Sequence, residues 1–296
     1  MRIADQAPRP TRLATPVRAR SAASAFWPPL AVLVALGVVW QLYAVRGVRD
    51  AQLLPPPTMV LAALGSQRGL LWHHTLVTLD ETLVGFAAAL VTGLALAALI
   101  DLSSWPRRAL YPLLVASQTI PIITLAPLLV LWFGFGLVSK SIVVTLVCFF
   151  PIVVAAADGL RATDPELIKL YRAFGAGRLR IFWAVRVPGA LPSVFSGVRI
   201  AITYSVIGAI FAEYVGATDG LGFYMEQQQH TFATQNVIAA IVVTALLSIA
   251  LFAATVLLER LAVPWYYAQG RGADWRAGAG AGPGAGSRAA ARAPAA

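Results

Sequence analysis

Six stretches of this chain run for about the length of a bilayer with almost no charge: residues 26–45, 82–101, 109–135, 140–157, 191–212 and 235–258. Nothing else in the sequence limits the fold so strongly. A hydrocarbon core about 30 Å thick is crossed by about 20 mostly apolar helical residues. Inside it only a helix or a closed barrel satisfies the backbone. Runs of this length, apolar on all sides, fit helices. Hydrophobic residues make up 58% of the chain and charged residues 12%, against roughly 25% charged in soluble proteins. The expected fold is therefore all-α: a polytopic membrane protein of six transmembrane helices, with a transmembrane domain over 26–262.

The formal charge of +10 does not point to nucleic acid, because the basic residues cluster in tails and connections. Arg2, Arg9, Arg12, Arg18 and Arg20 precede the first run, and Arg107 and Arg108 lie between the second and third. Arg161, Lys169, Arg172, Arg178, Arg180 and Arg186 lie between the fourth and fifth, and Arg260, Arg271, Arg276, Arg288 and Arg292 follow the sixth. The remaining connections hold Arg46, Arg49 and Arg68, with Lys140 at a boundary. The positive-inside rule then places both termini in the cytoplasm of a cell-membrane protein. Residues 1–25 and 270–296 lack apolar periodicity and read as disordered tails. Ala22-Ala23-Ser24-Ala25 precedes the apolar run, the reverse of a signal-peptide cleavage site.

A pore needs only short connectors, yet the loop 158–189 is long and carries helix signals. In Thr163-Asp164-Pro165-Glu166, Asp164 suits the N-cap and Pro165 the first turn, and Glu166 suits the positive end of the dipole. Thr163 with Glu166 is the alternative, a capping box. Leu167, Leu170, Tyr171 and Phe174 recur at helical spacing, and Gly175 suits a left-handed C-cap. A second short helix is expected over 179–187, with Pro188 and Pro192 bracketing the turn into the fifth span. A capped amphipathic helix of this kind packs on its own bundle, lies on the membrane, or docks into a partner.

This loop resembles the cytoplasmic signature of ABC importer permeases, which runs E-A-A, three residues, Gly, nine residues, I-x-L-P. Here nine residues follow Gly175 before Val185-Arg186-Val187-Pro188. Lys169-Leu170-Tyr171 stands where E-A-A would. Arg172-Ala173-Phe174-Gly175-Ala176 and Pro188-Gly189-Ala190-Leu191-Pro192 flank the motif. With Leu54-Pro55-Pro56-Pro57, Thr119-Ile120-Pro121, Leu131-Trp132-Phe133-Gly134-Phe135-Gly136 and Phe149-Phe150-Pro151-Ile152, they look like the nitrate/sulfonate/taurine branch. Asp158-Gly159-Leu160-Arg161 and the string 204–209 look most similar to permeases for the thiamine pyrimidine precursor or riboflavin. The resemblance implies an ATPase subunit seated on Glu166, Leu170, Tyr171, Arg172, Ala173, Phe174, Gly175, Arg178 and Pro188. It also implies an external binding protein and a second permease copy, in the lipid bilayer. The substrate it implies is a pyrimidine-type vitamin precursor, with alkanesulfonate, taurine or nitrate as the alternative.

Catalytic patterns are missing from the sequence. Gly134-Phe135-Gly136-Leu137-Val138-Ser139-Lys140-Ser141 only imitates a nucleotide-binding loop, with Ser139 in place of the second glycine. No cofactor or metal is expected. His73 and His74 are adjacent and should diverge on a helix as solvated interfacial residues. Cys148 lies in an apolar run as a small buried residue. Candidates for a translocation path are Gln118, Thr119 and Pro121, where a proline leaves a helical carbonyl unpaired, with Tyr204 and Glu213. Glu213 could equally cap the outer loop. Arg199 is expected to snorkel to headgroups, and Asp80 and Glu81 to be solvated where the second span opens. Gly85, Gly93, Gly197 and Gly208 read as helix-packing positions. A secondary transporter is the competing class, but its internal repeat is not visible.

Overall fold

The structure, a computed structural model, describes residues 22–46, 54–102 and 104–266. The two arginine-bearing tails assigned to disorder lie outside the described residues, apart from the start of the first helix. The described residues form helices and no strand: α1 Ala22–Arg46, α2 Pro57–Ser66, α3 Arg68–Leu102, α4 Ser104–Ser117, α5 Ile122–Phe133, α6 Leu137–Arg161, α7 Pro165–Ala173, α8 Arg178–Ile181, α9 Val187–Gly216, α10 Leu221–His230 and α11 Thr234–Ala262. Four continuous helical stretches are long and apolar enough to cross a membrane: Arg68–Asp101, Leu137–Arg161, Arg178–Gly216 and Thr234–Ala262.

The chain divides into Met1–Met59 and Val60–Ala296. In the first unit α1 is apolar along its length, and Gln41 exchanges hydrogen bonds with Thr58 at 3.3 and 3.4 Å. In the second unit α6 lies between α3 and α9. Ala89 of α3, Val144, Cys148 and Ile152 of α6, and Ala201 and Ala209 of α9 form a fully buried seam. Small residues let the backbones approach closely, which drives association where no hydrophobic effect acts between helices. A methyl group on Gly85 would lie 2.5 Å from Val144 Cβ and 2.8 Å from the Ser141 carbonyl. One on Gly197 would lie 2.5 Å from Ala155 Cβ and 2.7 Å from the Pro151 carbonyl. Cys148 Sγ donates to the Ala201 carbonyl at 3.2 Å.

Several expectations need correction. α3 begins at Arg68, well before residue 82, so Asp80 and Glu81 lie within it; Asp80 is exposed, but Glu81 is buried, against the solvation expected for it. The run 109–135 is a broken helix, α4 then α5, interrupted at 118–121. Pro121 takes the N-cap of α5 because it cannot donate within a helix. No turn precedes the fifth span. α8 runs through a π-helical turn, Phe182–Arg186, directly into α9, and Pro188 sits in the first turn of α9 with Pro192 inside it. The π turn bonds the Val187 N–H to the Phe182 carbonyl, which shifts the register next to the missing N–H of Pro188. Arg199 does not simply snorkel: its Nη1 lies 3.4 Å from Glu259 Oε2 on α11.

Candidate functional site

The connection between α6 and α9 folds as its local signals require. The Asp164 carboxylate accepts from the Glu166 N–H at 2.8 Å, with Pro165 opening α7. Thr163 is not part of a capping box, since its hydroxyl donates to the Leu160 carbonyl at 3.1 Å. At the other end Gly175 has φ +77°, and the Ala176 N–H reaches the Tyr171 carbonyl at 3.0 Å, a left-handed C-cap. Within α7 no residue is buried. Leu167 and Leu170 are exposed, and Phe174 is 82% exposed. The helix is thus closed at both ends with its apolar stripe exposed.

Behind this helix lies a basic pocket of about 230 Å³ walled by Asp101, Arg172, Arg178, Ile181, Phe182 and Arg186. Arg186, in the π turn, donates to the largely buried Asp101 carboxylate at the end of α3. The ion pair thus ties the helical entry of α9 to the end of α3.

At the opposite end of the same helices is a buried polar network that the sequence did not reveal. Lys140 Nζ of α6 donates to Glu81 Oε1 of α3 at 2.5 Å, both side chains almost wholly buried. Glu213 of α9 accepts from Thr78 Oγ1 at 2.6 Å and from the Gly222 N–H at 2.5 Å. Thr78 in turn accepts from the Leu221 N–H at 2.8 Å, and His74 Nδ1 accepts from the Gly220 N–H at 3.1 Å. These bonds lock Gly220 and the first turn of α10 onto α3 and α9. Gly220 has φ +114°, and a methyl group there would overlap the Glu213 carboxyl. Through the Gly222 N–H, Glu213 caps the first turn of α10.

His74 is buried within this network, against the solvated position expected for it, whereas His73 and His230 are exposed. His73, His74 and Asp219 gather their ligand atoms within 4.8 Å of one another, although adjacent histidines were expected to diverge. The trio is a poor metal centre all the same. The Gly220 N–H occupies the Nδ1 lone pair, so a neutral His74 carries its proton on Nε2 and offers no donor atom. Two ligands remain, fewer than the three protein ligands a catalytic zinc keeps. The hydrogen bond from His73, at 3.2 Å, holds the Asp219 carboxyl below its ordinary value.

Of the path candidates, Gln118 lines an apolar cavity of about 340 Å³ beside the α4–α5 break, together with Leu96, Leu146 and Phe149. Thr119 is exposed, its hydroxyl bonded to the Ala116 carbonyl at 2.7 Å. Tyr204 is about half exposed on α9 and does not line that cavity.

Long apolar helices packed on a buried three-helix seam, with a folded helix between two of them, define a multi-pass helical membrane protein. Residues 89–264 match the family described as "Binding-protein-dependent transport system inner membrane component", and the chain belongs to that family. It is 39% identical over 238 residues to the formylaminopyrimidine transport permease protein ThiX of Halalkalibacterium halodurans, covering 80% of this chain and 95% of that one. It is 38% identical over 255 residues to the riboflavin transport system permease protein RibX of Chloroflexus aurantiacus, covering 84% and 94%. To the taurine transport system permease protein TauC of Escherichia coli it is 30% identical over 244 residues, covering 80% and 89%. Its fold is similar to that in an inward-facing MetNI methionine ABC transporter, with TM-score 0.60 at 22% identity over 66% of this chain and 97% of that one. The chain is a permease subunit of an ABC importer in the inner membrane; it is not an enzyme, and the ATPase is a separate subunit.

Proposed function

We propose that α7 is the element through which an ATPase subunit drives this permease, and that the cargo is a pyrimidine-type vitamin precursor. The observation that carries the first part is Phe174, 82% exposed beside a helix closed at both ends. A rigid helix with an apolar knob fits the helix-in-groove mode of recognition. Arg172 and Arg178 flank the knob, and Glu166, Leu170, Tyr171, Ala173 and Gly175 complete the docking face. Pro188 stands where the motion enters α9. Because α8, the π turn and α9 are continuous, displacement that passes from α7 through the short Phe174–Gly177 connection enters the spanning helix directly.

In this reading the chain crosses the membrane six times, through α1, α3, the broken pair α4–α5, α6, α9 and α11. Both termini are cytoplasmic, and two copies enclose the path, with Gln118, Thr119, Pro121 and Tyr204 its candidate polar positions. Lipid covers the remaining apolar faces. An external binding protein delivers the cargo to the end that holds the 217–222 turn. The names of the relatives at 39% and 38% identity support a heteroaromatic vitamin precursor; the 30% identity to TauC supports a sulfonate as the second reading.

One reconstitution tests both parts. The permease is purified with its ATPase and binding protein in lipid, and ATP hydrolysis is measured with formylaminopyrimidine and with taurine. Stimulation by the pyrimidine alone is expected; stimulation by taurine alone reverses the substrate assignment. Phe174→Asp should abolish co-purification of the ATPase while the permease stays folded. Retention of the ATPase by that variant refutes docking through α7.

A further inference from the structure

The arginine pocket behind α7 shares a wall, Phe182, with a second cavity of opposite character. That groove, about 350 Å³, is lined almost wholly by carbon, from Leu94 and Ala98 of α3, Leu191 and Val194 of α9, and Phe182 and Trp183. Phe182 is a wall of both cavities. Leu94 lies seven residues before Asp101 on the same helix, so the groove extends about 10 Å from the arginines at 1.5 Å per residue. It runs inward along the spanning helices, on the end of the bundle that carries the basic connection.

Charge in the pocket is unbalanced. Asp101 is taken by Arg186, while Arg172 and Arg178 have no ion-pair partner among the described residues. An anionic head beside a strictly apolar channel is the outline of an amphiphile. We propose that the two cavities together bind one anionic phospholipid, its phosphate between Arg172 and Arg178 and an acyl chain along the groove past Trp183. Arginine forks match phosphate oxygens, and basic residues at the cytoplasmic face select anionic lipid. The site rests on the cytoplasmic placement of α7 but not on ATPase docking.

Trp183, 63% exposed in the groove, supplies the probe. The complete transporter is placed in phosphatidylcholine bilayers containing brominated phosphatidylglycerol or, in parallel, brominated phosphatidylcholine. The Trp183 signal is taken as the difference between the wild type and Trp183→Phe. Brominated phosphatidylglycerol should quench it at a several-fold lower mole fraction. That preference should fall about fivefold for each of Arg172→Gln and Arg178→Gln, and should survive in the double variant Arg172→Lys/Arg178→Lys. Equal quenching by the two lipids overturns the proposal. So does a preference that persists in the double glutamine variant. Abolition of the preference by millimolar inorganic phosphate assigns the pocket to a free anion instead. Loss of the ATPase from the glutamine variant with lipid preference unchanged assigns it to an acidic segment of the ATPase. ATPase retention by Phe174→Asp is scored separately, so failure of the docking reading is distinguishable.

Discussion

Lys140 and Glu81 illustrate how much a single pair of side chains decides. Their charged atoms meet at 2.5 Å with both side chains almost fully buried among the helices. Removing one partner strands the other charge, which costs about 3–5 kcal/mol, whereas replacing both by apolar groups is often neutral. Lys140→Met should therefore lower the unfolding temperature in detergent markedly, and Glu81→Leu/Lys140→Met should recover most of the loss. If the single variant unfolds like the wild type, the ion pair holds nothing together. The sequence could not show this pair. Counting charges started the second run at residue 82, just past Glu81, and the two partners are separated by 59 positions with no local signal linking them. Likewise Glu213 and Gly222 carry a pairing that only the turn at 217–220 creates. Asp164, Pro165, Phe174 and Gly175 were legible because capping is local: the partners of a cap lie within one helical turn.

For the elements, the corresponding test is the contact of α3 and α9 with α6. An alanine methyl group at Gly85 would meet the Ser141 carbonyl as well as Val144, and one at Gly197 the Pro151 carbonyl. Backbone atoms cannot rotate aside as a side chain can. Gly85→Ala and Gly197→Ala should each cost about 1–3 kcal/mol by overpacking. Trimming Val144 to alanine should not rescue Gly85→Ala. Gly37, where an added methyl group would find nothing within 4 Å, is the control: Gly37→Ala should leave thermal stability unchanged. These glycines are legible as packing positions because small residues recur between apolar ones. The break at 118–121 and the π turn at Phe182–Arg186 are not legible in the same way. A proline announces a lost hydrogen bond, but whether the helix kinks, stops or inserts an extra residue depends on neighbours far along the chain. Pro121 ends one helix and opens another, while Pro188 and Pro192 sit inside a continuous one.

For the whole molecule the decisive quantity is orientation, because the same helices inserted upside down would present α7 to the wrong compartment. Two positions report it. Ala176 follows the C-cap of α7, and Thr218 lies in the short turn after α9, at the other end of a continuous 39-residue helix, Arg178–Gly216. At 1.5 Å per residue that helix spans nearly 60 Å, beyond the thickness of a bilayer including its headgroups. The two positions therefore lie on opposite sides. The only native thiol, Cys148, is fully buried and donates to the Ala201 carbonyl, so it contributes little background. In intact cells a membrane-impermeant maleimide should label Thr218→Cys but not Ala176→Cys, which should react only after permeabilisation. The reverse pattern would put Arg161, Arg172, Arg178 and Arg186 outside, against the charge rule. It would also leave Phe174 with no ATPase to meet, so transport would need another lever even though the family assignment stood.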